Sequence, residues 1–241
     1  MKLLIIRHGD PDYVNDTLTE VGKKEADLLA KFLAEKNIDK IYVSPLGRAQ
    51  KTAEYTCKAK GMDATVCDWL REFPARVKKP NRDNSVAWDW RPADWTPVEE
   101  FFSRKDWSSV PAMLEAGVPE KYAYVTRSFD SLLAEHGYVR EGNAYRVTQA
   151  NEDTIAFFCH FGLECVLLSH LLNVSPMILW HGTCAAPTSV TTIYSEERQK
   201  GIAYFRMAEF GSVAHLSAHG VEPSFSARFC EIYDRMDQRH D

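Results

Sequence analysis

Residues 1–12 read MKLLIIRHGDPD, and the fold turns on how that run ends. Met1 and Leu3–Ile6 are apolar, which reads as a buried strand. The strand then meets Arg7, His8 and Gly9. A strand interior gains nothing from two basic side chains and a residue with none. A strand end gains a great deal, because in open α/β sheets ligands collect outside the carboxyl ends of the strands.

Working outward, Thr19–Asn37 reads as a helix with Thr19 as its N-cap and Leu28, Leu29, Phe32 and Leu33 as its apolar stripe. IDKIYVS (38–44) is a second strand. SPLGRAQKTAEYTCKAKG (44–61) is a helix that Ser44 caps, Pro45 opens and Gly61 closes. DATVCDWL (63–70) is a third strand. Strand, helix, strand, helix, strand implies a parallel sheet covered by helices.

The alternation stops at Phe73–Pro119, a stretch rich in Pro, Asp and Arg that holds Trp88, Trp90, Trp95 and Trp107. Lys121–His136 reads as a helix. AYRVTQ (144–149) and DTIAFFCH (153–160) read as strands, and GLECVLLSHLLN (162–173) as a buried helix. SVTTIYSEE (189–197) and GIAYFRMAEF (201–210) form a hairpin-like pair. In the tail, Phe225, Phe229, Ile232, Tyr233 and Met236 share one helical face, docked on its own domain or in a homodimer. The expectation is a single domain over 1–241 with an insertion at about 73–145.

Composition narrows the function classes. The 241 residues are 45% hydrophobic, enough for a sizeable core, and carry a formal net charge of −5. That balance argues against a general nucleic-acid or membrane-surface binder, so an anionic substrate needs a local basic cluster. Arg7 interrupts the opening apolar run, which is too short for a signal peptide, and no apolar stretch approaches the ~20 residues of a membrane span. Six cysteines without a C-x-x-C pair read as reduced thiols of a cytoplasmic protein.

Four chemically able side chains each follow a strand or open the next helix: His8, Arg48, Glu72 and His160. In a parallel sheet those ends share one edge. Arginine forks match phosphate oxygens, and a neutral imidazole attacks phosphorus through one nitrogen while the other donates to a carbonyl. Phosphoryl transfer asks mostly for positioning and charge neutralisation. Arg7, Arg48 and His160 suit that task, and Glu72 suits protonation of the leaving oxygen.

LLIIRHGDP, VSPLGRAQKTA, LREF and FFCHFG together resemble the signature series of the histidine phosphatase superfamily, the phosphoglycerate mutase-like family. The matching segments run from residue 2 to about 74 and from about 153 to 195. The resemblance implies an α/β three-layer α/β/α sandwich with a mostly parallel central sheet and an inserted lid-like segment. It implies a phosphohistidine at His8, a phosphate pocket of Arg7, Arg48 and His160, Glu72 as proton donor, and neither metal nor cofactor. Asn15 or Thr17 is expected to reach the phosphate.

Three departures stand beside it. Phe161 separates His160 from Gly162, where the family has His-Gly; FPARVKK follows Glu72 in place of a glycine-containing segment; and DPDYVND is not the acidic stretch of true phosphoglycerate mutases. Glu72 has an alternative role as an ion-pair partner of Arg71 or Arg76. Arg76, Lys78, Lys79 and Arg82 are candidates for a second anionic group on the substrate, and His181, another His-Gly, for a substrate or gating contact. His215 and His219, four apart, read as structural. The function expected is a phosphomonoester hydrolase acting on a small phosphorylated metabolite. The alternatives are a phosphoglycerate mutase-type isomerase and a catalytically weak phospho-ligand-binding protein.

Overall fold

The computed structural model describes residues 1–80, 85–224 and 232–235. In chain order, β1 (Lys2–Arg7) leads through the short pair β2 (Pro11–Asp12) and β3 (Thr17–Leu18) to α1 (Glu20–Ala34), β4 (Lys40–Val43), α2 (Gly47–Lys60) and β5 (Ala64–Val66). The tryptophan-rich stretch contains α3 (Pro92–Trp95) and α4 (Pro111–Glu115). Then follow α5 (Val118–Glu135), β6 (Tyr138–Glu141), β7 (Ala144–Val147), β8 (Thr154–Cys159), α6 (Phe161–Leu172) and α7 (Pro176–Gly182). The long hairpin β9 (Val190–Gln199) and β10 (Ile202–Ser212) and the short α8 (Ala214–Ser217) complete the described elements.

One sheet runs in the order β5-β4-β8-β1-β9-β10-β7-β6. Its first four strands are mutually parallel, and the rest join antiparallel. Along β1, Leu3 and Ile5 enter one core cluster while Leu4 and Ile6 enter the other. Period-two alternation with both faces apolar is what requires a helical layer on each side. Leu29, Leu33, Ala49 and Ala53 of α1 and α2 cover the even face, and Phe129, Leu133 and Leu163 of α5 and α6 the odd one. The result is the three-layer α/β/α sandwich.

The structure refines several boundaries. Thr19 does cap α1, its hydroxyl accepting from Gly22 N. Helix α2 begins at Gly47 rather than Pro45, with Leu46 at its N-cap. Gly61 closes it in the left-handed conformation, φ 63°. The third strand is only Ala64–Val66, followed by a 3-10 turn at Asp68–Leu70. AYRV and TIAFFC are both strands but lie far apart in the sheet, because β8 inserts between β4 and β1.

Residues 73–79 alternate. Phe73, Ala75, Val77 and Lys79 are buried, while Glu72, Pro74 and Arg76 face the opposite way. Trp88 and Trp107 pack on Trp180 of α7 with ring centroids 6.3 and 5.7 Å apart. The insertion is thus bolted to the body by aromatic rings. Of the tail face, Phe225, Phe229 and Met236 lie outside the described residues, as does Arg82; Ile232 and Tyr233 are exposed.

Candidate active site

The parallel half of the sheet brings the sequence-predicted residues together. His8 follows β1, Ser44 follows β4, His160 follows β8, and Glu72 comes a few residues after β5. His8 and His160 are buried, their ring centroids 5.1 Å apart. Phe161 therefore does not turn His160 away from His8. The intervening residue becomes the first residue of α6, and His160 is its N-cap.

A hydrogen bond fixes the tautomer of His8. His8 Nδ1 lies 2.7 Å from Gly9 O, which can only accept, so Nδ1 carries the proton and Nε2 is bare. The close approach needs glycine at position 9, since a Cβ there would sit 2.9 Å from Gly22 O. Arg48 Nε points at His8 Nε2 from 3.4 Å. His160 Nε2 is 2.8 Å from Ser44 Oγ, while its Nδ1 is buried with no hydrogen-bond partner among the described residues. Ser44 Oγ already accepts from Leu46 N at 3.2 Å. The second lone pair and the proton of that hydroxyl both remain available to His160 Nε2, so this bond suits either tautomer of the ring. Burial, then the nearby Arg7 and Arg48, push the pKa of His8 well below the usual histidine value; burial, His8 and the same arginines do so for His160. Both rings are neutral at pH 7.

Arg48 is held by an ion pair, Nη1 to Asp16 Oδ1 at 2.7 Å. Asp16 Oδ2 also accepts from Gly47 N at 2.7 Å. Arg7 is buried and its Nη1 donates to Ala185 O at 2.5 Å. Glu72 accepts from Phe73 N at 2.8 Å and Leu163 N at 2.9 Å through Oε1, and from Gly162 N at 3.4 Å through Oε2. It thereby sits on the N-terminal turn of the helix that follows His160, where a carboxylate is favoured. Burial nevertheless raises its pKa, against the lowering effect of those N–H groups and Arg48.

A cavity of about 460 Å3 opens here, lined by Arg7, His8, Arg48, Arg71, Glu72, Arg76 and the walls Tyr13, Trp88 and Phe161, among others. Four arginines face one carboxyl group, Glu72. That is the local basic cluster which the acidic chain needs in order to attract an anion. Glu72 pairs with neither Arg71 nor Arg76; Arg71 pairs instead with Asp68 at 2.9 Å.

Three expected contacts fall elsewhere. Asn15 is exposed and its Nδ2 donates to Asp12 Oδ2 at 2.7 Å, because DYVN closes a turn on Asp12. Lys79 is buried under the insertion, donating to Trp88 O at 2.9 Å and Asp89 O at 3.1 Å, since the alternation of 73–79 puts it inward. His181 donates from Nδ1 to Met177 O, accepts from Trp90 N at 3.0 Å and stacks on Trp95. Both its nitrogens are taken, one by its own helix and one by Trp90 of the insertion, and burial lowers its pKa to about 4.

The sequence reading missed Asp16 and Ser44 as site residues. The signal for Asp16 was Gly47. A Cβ there would fall 2.2 Å from Asp16 O, so the helix start and the Asp16 turn fit only around glycine. Ser44 was read as a helix cap, and its hydroxyl serves His160 instead.

Residues 3–100 match the family model of the histidine phosphatase superfamily (branch 1). Phosphoserine phosphatase 1 of Hydrogenobacter thermophilus is 35% identical over 82 residues, 30% of this chain and 39% of that protein. A probable phosphoglycerate mutase of Photorhabdus laumondii is 27% identical over 111 residues, 40% of this chain and 52% of that one. The chain thus matches about half or less of the length of these curated relatives. Among solved structures, a phosphoserine phosphatase of Entamoeba histolytica superposes with a TM-score of 0.57 at 19% identity, covering 89% of this chain and 98% of that one. A mycobacterial glucosyl-3-phosphoglycerate phosphatase gives 0.57 at 17%, covering 88% and 98%. Likenesses at that identity speak to the fold, and they extend it past residue 100 to the strand that ends at His160. The motifs, the matched first hundred residues and the shared fold thus make the chain similar to the histidine phosphatase superfamily (branch 1).

Proposed function

We propose that the chain is a phosphomonoester hydrolase that passes the phosphoryl group through Nε2 of His8. The observation that carries this is the bare Nε2 of a neutral, buried imidazole, with Arg48 Nε 3.4 Å away and the Nδ1 proton committed to Gly9 O. Nε2 attacks phosphorus and the bond from phosphorus to the ester oxygen breaks. Arg7, Arg48 and His160 take up charge on the equatorial oxygens. Glu72, the only carboxyl among the described residues lining the cavity, gives its proton to the departing oxygen. Water then attacks the phosphohistidine, Glu72 recovers a proton from it, and free phosphate leaves.

The substrate is a small phosphorylated metabolite, in keeping with a cavity of about 460 Å3. Arg76, on the cavity side of the alternating segment, is its second contact, for an anionic group beyond the phosphate. The named activities of the relatives, on phosphoserine and glucosyl-3-phosphoglycerate, point to phosphorylated acids as the first compounds to try. No described helix is long and apolar enough to cross a membrane.

The test is a panel of phosphorylated acids, sugar phosphates and nucleotides, with 3-phosphoglycerate plus a bisphosphate primer assayed beside them. Free phosphate from at least one monoester, with little 2-phosphoglycerate, supports the hydrolase. Rapid isomerisation with negligible phosphate release makes the chain a mutase, and binding without turnover of any compound makes it a phospho-ligand-binding protein.

A further inference from the structure

The peptide group joining His8 to Gly9 is pinned at both ends. Its carbonyl oxygen accepts from Thr188 N at 3.2 Å, and its N–H donates to Thr52 Oγ1 at 3.0 Å. The next carbonyl, of Gly9, receives the Nδ1 proton of His8. Tilting that peptide plane would carry Gly9 O away from the ring and release the tautomer. Thr52 belongs to the rigid α2. Thr188 lies in the loop before β9, and its backbone is unusual: φ is 59°, in the left-handed region that β-branched residues avoid. Such a conformation persists only where the surroundings over-determine it.

Those surroundings are on hand. Thr188 is fully buried, and its hydroxyl donates to Pro187 O at 2.7 Å. His215 Nε2, 3.0 Å from the same oxygen, must therefore be the donor to it. His215 is itself buried, on α8, its ring 5.9 Å from that of Phe32 on α1. The same loop clasps the neighbouring arginine: Arg7 N donates to Ser189 O at 3.2 Å and Arg7 Nη1 to Ala185 O. A strained threonine, locked from behind by a histidine that faces no cavity of the site, thus touches the backbone of the candidate nucleophile.

We propose that Thr188, locked by His215, is a positioning residue that holds the His8–Gly9 peptide and so sets the reactive tautomer of His8. The pair acts through His8 and makes no contact with substrate. The proposal goes beyond the hydrolase reading and uses it only for the turnover readout.

The experiment compares Thr188→Val, which keeps the shape and removes the hydroxyl, with Thr188→Ser, which keeps it, and with His215→Phe, which keeps a ring against Phe32. Each is assayed for kcat and KM on the best phosphomonoester, for thermal midpoint, and by 15N NMR of the His8 ring, assigned with His8→Ala. The expected result is a fall in kcat of about 10–100-fold for Thr188→Val and His215→Phe, with KM little changed. The His8 ring should then populate both tautomers, and Thr188→Ser should restore kcat and the single Nδ1–H form. If Thr188→Val and His215→Phe lower the thermal midpoint alone, with wild-type kcat and an unchanged ring spectrum, the proposal is overturned. Should His215→Phe fail to fold, the Val and Ser variants decide by the same readouts. The ring spectrum needs no turnover, so failure of the hydrolase reading is distinguishable from failure of this one.

Discussion

At the residue scale, His8 is a neutral base surrounded by positive charge. Its pKa is lowered, so the reactive form persists as pH falls through the ordinary histidine range. The acid limb of kcat/KM should therefore lie below about pH 6.5. A limb at or above that value would mean that His8 is not held neutral by burial and the two arginines. Glu72 has the opposite shift and must be protonated to act as an acid, so activity should fall as pH rises through its raised pKa. Glu72→Gln should slow alkyl phosphates by about 10²–10⁴-fold, the usual worth of a general acid, and aryl phosphates much less. Equal losses on both would make Glu72 a helix cap and nothing more. That His8, Arg48 and Glu72 meet in one cavity was legible because each stands near a strand end or helix start. Asn15, Lys79 and His181 were misread because nearness along the chain to a motif does not say which way a side chain turns. A turn on Asp12, a period-two alternation and a clamp on Trp90 decided those three.

At the element scale, the N-terminal turn of α6 is the joint between the body and the insertion. Gly162 lets it form: a Cβ there would fall 2.6 Å from the Trp88 ring and 2.8 Å from Glu72 Oε1. Gly162→Ala should cost about 1–3 kcal/mol by overpacking, and it should push Glu72 off the helix. Urea unfolding and kcat on an alkyl phosphate check this; a variant equal to wild type in both would mean that Trp88 and Glu72 move aside freely. The strands of the parallel half and the helices between them could be read from apolar runs and caps. The position of β8 between β1 and β4 could not, because a pairing across more than a hundred residues leaves no local mark. The same holds for the insertion, whose order comes from tryptophan rings meeting Trp180 rather than from any periodicity.

At the scale of the whole molecule, five of the described histidines are held toward the neutral form by burial: His8, His136, His160, His181 and His215, the last two with pKa values lowered to about 4. A group whose folded pKa lies below its unfolded value binds more protons when unfolded, so stability rises with pH across that window and falls on acidification below about 6.5. Glu25, Glu72 and Glu164 have raised pKa values, Glu164 to about 7, and oppose this by losing stability as pH rises above the ordinary carboxyl range. The histidines outnumber them, so the free energy of urea unfolding should decline from pH 7 to pH 5. His215→Phe should flatten that slope by up to about 1.4 kcal/mol per pH unit; an unchanged slope would mean that His215 titrates alike in both states. The readings of turnover presume that the buried ring of His8 is the nucleophile. The measurement that tests this most directly is a rapid quench of the enzyme with 32P-labelled substrate, followed by mapping of the labelled peptide. The account predicts a label on His8 that survives alkali, is lost in acid and is absent from His8→Ala. An acid-stable label on a serine or aspartate, or turnover by His8→Ala at the wild-type rate, would contradict it.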